Sequence, residues 1–205
     1  MNKRIVHDAL ILMAFTLVLG FVLGLVHDIT AEPIAQVEQE KTEAAFRQVF
    51  SEADSFQPYE DFEEDEAASL MEENGYSDEI TDVEEALDAS GNLLGYVITV
   101  TAKDASQANI TFSVGITSDG VVNGYSITDI SETPGLGDKA KNEEFYSQFE
   151  GKQVDKFTVV KQAPTVDSEI EAISGATITS KAMTNGVNAC ITYFTQVLEG
   201  GAENE

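Results

Sequence analysis

From Ala9 to Val26 the chain carries no charged side chain, and the run is rich in Leu, Val, Ile, Phe and Met. A helix needs about 17–25 such residues to cross the hydrocarbon core of a bilayer, so this stretch is just long enough. Lys3 and Arg4 precede it, while Asp28 and Glu32 follow. Basic residues mark the cytoplasmic flank of a span. The expectation is a single-pass protein of the cell membrane, with a cytoplasmic N-terminus and an extracytoplasmic main domain. A cleaved signal peptide is the competing reading, with Ile29-Thr30-Ala31 as a loose cleavage site. The apolar run exceeds the usual core of about 7–15 residues in such peptides, which favours an uncleaved anchor. Gly20 and Gly24 form a small-xxx-small face on which another transmembrane helix could pack closely.

Charge narrows the partners. Asp and Glu number 37 against 11 Lys and Arg, for a formal net charge of −26. Binding to nucleic acid phosphates needs clustered Lys and Arg, so nucleic acid is excluded. A basic face for anionic lipid is equally lacking. Cys190 is the single cysteine, which excludes an intrachain disulfide and a Cys-rich metal site. His7 and His27 both flank the apolar run, leaving the outer domain without histidine. A His-based metal centre or a Ser-His-Asp triad there is thereby ruled out.

The remaining chain divides by composition. Residues 1–31 hold the cytoplasmic end and the anchor; residues 32–90 hold a stalk helix and an acidic stretch. Residues 91–199 form the main domain, and residues 200–205 a loose tail. The stalk is expected to start at Pro33, since proline suits a first helical position. The acidic stretch from Glu52 to Asp88 reads as a solvated, weakly structured cover, with an acidic docking face as the sharper alternative. Strands are expected from Leu93 onward: Leu93–Thr101, then Asn109–Thr117 and Val121–Ile130 joined by Ser118-Asp119-Gly120, then Phe157–Lys161. Asn142–Phe149 reads as a short helix with Phe145 and Phe149 on one face. The last helix carries Met183, Val187, Cys190, Ile191, Phe194, Val197 and Leu198 at three- and four-residue steps, and Gly200-Gly201 ends it. The predicted class is α+β: one N-terminal transmembrane helix, then a mainly antiparallel sheet domain packed on helices.

The start of that last helix carries the chemistry. Ser174-Gly175-Ala176-Thr177 leads into it, followed by Thr179 and Ser180. Free backbone N–H groups and the helix dipole favour a phosphate at such a point. Gly175 and Ala176 keep bulk away, and Ser174, Thr179 and Ser180 add hydroxyl donors. No base stands next to Thr177 in sequence, so it suits an acceptor modified by another enzyme better than a nucleophile acting alone. Without a ligand, the same residues would be a Ser/Thr-capped helix after a turn.

A second motif adds weight. Glu132-Thr133-Pro134-Gly135-Leu136-Gly137 follows a strand and forms a rigid loop against which a flat ring can lie. Together the two motifs, in this order and separation, resemble the FMN-binding subunits of the Rnf and Na⁺-translocating quinone reductase complexes. The shorter Rnf G subunit is the better match in length. The resemblance implies FMN linked covalently through a phosphoester to Thr177, installed by a separate flavin transferase. It implies that residues 91–199 are the FMN-binding domain, working with other membrane subunits of an Rnf-type complex. That complex relays electrons from ferredoxin to NAD⁺ and moves Na⁺ or H⁺. Thr133 is the expected ring contact, and Lys139 a candidate to neutralise reduced flavin or its phosphate. The sequence departs from the family pattern at Glu171, where Asp is usual, and at Ile130, where His is frequent. The alternatives are a stand-alone surface flavoprotein and a flavin-free binding module.

Overall fold

The computed structural model describes residues 3–199. The chain divides into two compact units, Met1–Thr42 and Glu43–Glu205. The first consists of the greater part of helix α1, which runs from Lys3 to Val49. Its large apolar side chains from Ile5 to Val26 are all exposed, Phe21 at 72%. One helix this long and apolar, left uncovered by protein, fits a membrane anchor. No second helix starts at Pro33, which instead lies inside α1. A proline there removes one hydrogen bond and crowds the carbonyl four residues back, but Ala31, Glu32, Ala35 and Gln36 around it are good helix formers and the helix continues through it.

The second unit is built on a five-stranded antiparallel sheet. Strands β1 (Ser55–Pro58), β2 (Glu79–Leu87), β3 (Leu93–Ala102), β4 (Ile110–Thr117) and β5 (Val122–Asp129) lie side by side in chain order. Alternation along β3 and β4 decides the two faces. Tyr96, Ile98, Val100, Ile110, Phe112, Val114 and Ile116 point into the larger core. Val97 points to the opposite face, where Phe46 and Val49 from the end of α1, and Phe50 just after it, cover it. Gly95 and Gly115 make that covering close. A Cβ on either would come within 2.8 Å of Phe50 or Val49 side-chain carbon.

The larger core is closed by α4 (Thr177–Tyr193), which buries Ala182, Met183, Val187, Ala189 and Cys190. It settles directly over Phe112, because Gly186 has no side chain to hold it off. Buried Asn188 accepts the Phe157 N–H at 2.7 Å and donates to the Phe157 carbonyl at 3.0 Å. That pair fixes the short parallel sheet of β6 (Thr158–Val160) and β7 (Glu169–Glu171) beside α4. The helix runs on as a π-helical turn, Phe194–Leu198, while the expected stop at Gly200-Gly201 and the tail 200–205 lie outside the described residues.

Two expectations need correction. The acidic stretch is not a weakly structured cover: β1, helix α2 (Glu64–Glu73) and β2 all come from it, and the sheet begins at Ser55 rather than Leu93. Its acids up to Glu73 are exposed and those of β2 half-buried, Asp78 alone among them is buried, and Ala67, Met71, Ile80 and Val83 enter the core. The predicted helix Asn142–Phe149 is a single α-helical turn, α3 (Glu143–Tyr146), followed by tight turns to Gly151. Phe145 and Phe149 nevertheless meet edge to face, with centroids 5.8 Å apart.

Candidate functional site

Two tight turns of the same kind face each other at the N-terminus of α4. In Thr133-Pro134-Gly135-Leu136 the Leu136 N–H donates to the Thr133 carbonyl at 3.1 Å, and Gly135 has φ +79°. In Ile173-Ser174-Gly175-Ala176 the Ala176 N–H donates to the Ile173 carbonyl at 2.9 Å, and Gly175 also has φ +79°. A positive φ at the third position is where a type II turn calls for glycine, and Pro at the second pre-sets the first turn. The turns nearly touch: a Cβ on Gly175 would lie 3.1 Å from Leu136 Cδ2.

Each turn is held from behind. After the first, a 3₁₀ helix (Gly137–Lys141) is anchored by the Tyr125 hydroxyl, which donates to the Ala140 carbonyl at 2.6 Å. Burial pushes the Tyr125 phenol well above its ordinary range, so it stays a donor. Before the second, the Glu171 N–H donates to Gln148 Oε1 at 2.7 Å. Ser180 then locks the turn to the helix, its hydroxyl accepting the Ile173 N–H and donating to the Ala176 carbonyl, both at 2.9 Å.

Between the turns lies a cavity of about 310 Å³. Thr133, Leu136 and Gly137 line it from one turn, and Gly175, Ala176 and Thr177 from the other. Ser106, Glu132, Ile178 and Thr179 complete the wall. Thr177 is the first residue of α4 and half-buried. Among the described residues its hydroxyl has no hydrogen-bond partner. The first bond within the helix runs from Ser180 N–H to Ala176 carbonyl, so the N–H groups of Thr177, Ile178 and Thr179 come before it and are free to bind an anion.

Not every residue of the two motifs faces this cavity. Lys139 and Ser174 line a neighbouring one of about 240 Å³ with Gln148 and Glu171. Pro134 and Gly135 are exposed on the far side of their turn. Ser180, expected to offer its hydroxyl to a phosphate, has spent its one proton on the Ala176 carbonyl. Thr179 is buried, and its hydroxyl donates to Glu132 Oε2 at 3.2 Å. Glu132 itself is buried, and its Oε1 accepts the N–H groups of Ser106 and Gln107 at 2.8 and 3.1 Å. Gly137 makes room for it, since a Cβ there would collide with Glu132 Oε2 and with Thr179 Oγ1.

Comparison with known proteins matches residues 106–192 to the family described as the FMN-binding domain, and residues 1–49 to the RnfG N-terminal region. The chain is 32% identical to the G subunit of the Na(+)-translocating ferredoxin:NAD(+) oxidoreductase complex of Acetobacterium woodii, over 90% of this chain and 89% of that protein. The chain belongs to the G-subunit family of ion-translocating oxidoreductase complexes. Another member of the G-subunit family, from the proton-translocating complex of Clostridium ljungdahlii, is 32% identical over 88% of this chain and 86% of its own length. The crystal structure of Shewanella oneidensis NqrC has the same fold, with a TM-score of 0.51 at 22% identity, over 60% of this chain and 61% of that one.

For a G-subunit family member, the sequence pattern marked the two turns and Thr177 but missed what holds them. Tyr125, Gln148 and Asn188 each secure a loop from an element distant in sequence. Asn188 is marked in the sequence as a polar group on an otherwise apolar helix face, Gln148 by nothing at all, and neither names its partner.

Proposed function

We propose that this chain is an electron-carrying FMN subunit of an Rnf-type complex, with the flavin linked through its phosphate to Thr177. The observation that carries the reading is the hydroxyl of Thr177. It stands without a partner in a cavity, where three backbone N–H groups at the start of α4 converge. A phosphate esterified there would be met by those N–H groups and by the positive end of the helix. The facing turns suit the rest of the group. Thr133 and Leu136 offer one wall and Ile178 another, and neither Gly137 nor Gly175 adds bulk.

When bound, the flavin supplies the redox chemistry. The chain's own residues fix its position and its surroundings. Among the described residues no base touches Thr177, so a separate flavin transferase performs the attachment. Electrons pass from ferredoxin towards NAD⁺ through other membrane subunits, and the chain alone catalyses nothing. The anchor α1 holds the domain on the extracytoplasmic side, as the flanking Lys3 and Arg4 suggest. The similarity to G subunits of both Na(+)- and proton-translocating complexes supports the relay role and leaves either ion as cargo.

The test is fluorescence of the denatured chain on a gel under ultraviolet light, after expression with an active flavin transferase. The parent should fluoresce and Thr177→Val should not. A dark parent, with the transferase active on another target, would overturn the reading.

A further inference from the structure

We infer that the buried carboxylate of Glu132 lowers the electron affinity of the flavin held at Thr177 through its fixed negative charge. The inference rests on the proposed attachment but concerns a different residue and a different property. Glu132 is the sole ionisable side chain lining the Thr177 cavity among the described residues. It faces donors alone: two backbone N–H groups on Oε1 and the Thr179 hydroxyl on Oε2. The two backbone N–H groups can only donate, so they hold Oε1 as an acceptor in one fixed place.

Nothing of opposite sign offsets this charge within the cavity wall. Lys139 lines the neighbouring cavity, and Lys141 is paired with Asp138 at 2.5 Å. The partial positive charge at the start of α4 falls on the phosphate side, at Thr177. A buried negative charge interacts more strongly than an exposed one, and it opposes added negative charge nearby. Reduction adds electrons to the flavin, and Glu132 takes up none of them and no proton. It acts through its field, so its geometry must be fixed. The three hydrogen bonds do this, and Gly137 leaves the space that lets the carboxylate lie there.

The experiment compares the midpoint potential of the covalently flavinylated full chain in detergent with those of Glu132→Gln and Glu132→Asp. Neutral Gln should raise the potential by at least tenfold in the one-electron reduction equilibrium, about 59 mV. Asp should stay closer to the parent, because it keeps the charge. A second variant, Ser106→Lys, brings a cation to the cavity wall, leaves the backbone N–H bonds to Glu132 intact, and should also raise the potential. It keeps the test open if Glu132→Gln does not fold. In-gel fluorescence is recorded on every sample. A fluorescent Glu132→Gln sample with an unchanged potential, or a fluorescent Ser106→Lys sample with an unchanged potential where the Gln variant does not fold, would overturn the inference and leave the attachment standing. A merely structural role would lower the thermal midpoint of Glu132→Gln without moving its potential. Absence of covalent flavin from the parent would instead overturn the attachment.

Discussion

Glu132 and Thr179, 47 residues apart in sequence, share a buried hydrogen bond of 3.2 Å that ties the Thr-Pro-Gly-Leu-Gly loop to the first turn of α4. The two walls of the cavity are therefore one mechanical unit. Glu132 adds a third segment through the N–H groups of Ser106 and Gln107.

Thr179→Val keeps the shape of the side chain and removes the donor. Glu132 Oε2 is then left buried with one partner fewer, which costs about 1.5–3 kcal/mol for a bond to a charged group. Urea unfolding of the detergent-solubilised chain measures this. Covalent flavin should persist in the variant, because Thr177 is untouched.

Gly137→Ala tests the same junction from the other side. The added methyl meets Glu132 Oε2 and Thr179 Oγ1, and overpacking of this kind costs about 1–3 kcal/mol. In a Glu132→Ala background the closest contact, to Oε2, is gone while those to Thr179 Oγ1 and to the Cβ of residue 132 remain, so the cost of Gly137→Ala should fall in part. A double-mutant cycle in thermal unfolding reads that coupling. Equal costs in both backgrounds would mean that Glu132 is not what Gly137 accommodates.

Asp78 predicts a pH dependence. It precedes β2 and is buried, and among the described residues neither carboxylate oxygen has a hydrogen-bond partner beyond its own backbone. Burial first, and the nearby Asp104 second, push its acid group up to about 6 from an ordinary 3.8, against opposing help from its own backbone and Lys103. Its folded state thus holds the proton more tightly than its unfolded state. The stabilisation is complete below the unfolded value and is lost as pH rises through about 6. The loss is on the order of 3 kcal/mol, at about 1.4 kcal/mol per pKa unit. Glu84, pushed up to about 7 by burial and by Asp82, acts with the same sign in parent and variant alike. Asp78→Asn should remove part of the fall in thermal midpoint between about pH 4 and about pH 7, which bracket the shift. An unchanged slope in Asp78→Asn would contradict the burial argument.

Much of this architecture was readable in the chain, and the misses have physical causes. The hairpin β4–β5 was legible because Phe112, Val114 and Ile116 alternate cleanly and Ser118-Asp119-Gly120 closes the turn. Strand β2 was not. A bulge between Ile80 and Asp82 shifts the alternation, so Ile80 and Val83 reach the same core three residues apart. Ala86, another three residues on, falls on the opposite face. Spacing by three among acids conceals a strand. At the cavity, Pro134-Gly135 and Ser174-Gly175 announced turns, but their facing one another depends on where β5 and α4 set them down. The engagement of Ser180 and Thr179 within the scaffold was hidden for the same reason, since a hydroxyl's partner is a matter of tertiary placement. Pro33 inside α1 shows the local preference for a helix start overridden by helix formers on both sides.

Fragmenting the flavinylated chain and locating the modification by tandem mass spectrometry decides where the flavin is attached. Ser174, Thr177, Thr179 and Ser180 all carry hydroxyls within one short peptide, so the method separates four acceptors at once. The expected result is a single flavin phosphate on Thr177, and an unmodified peptide in Thr177→Val. Flavin on Ser174, Thr179 or Ser180, or retained covalently in Thr177→Val, would contradict attachment at Thr177.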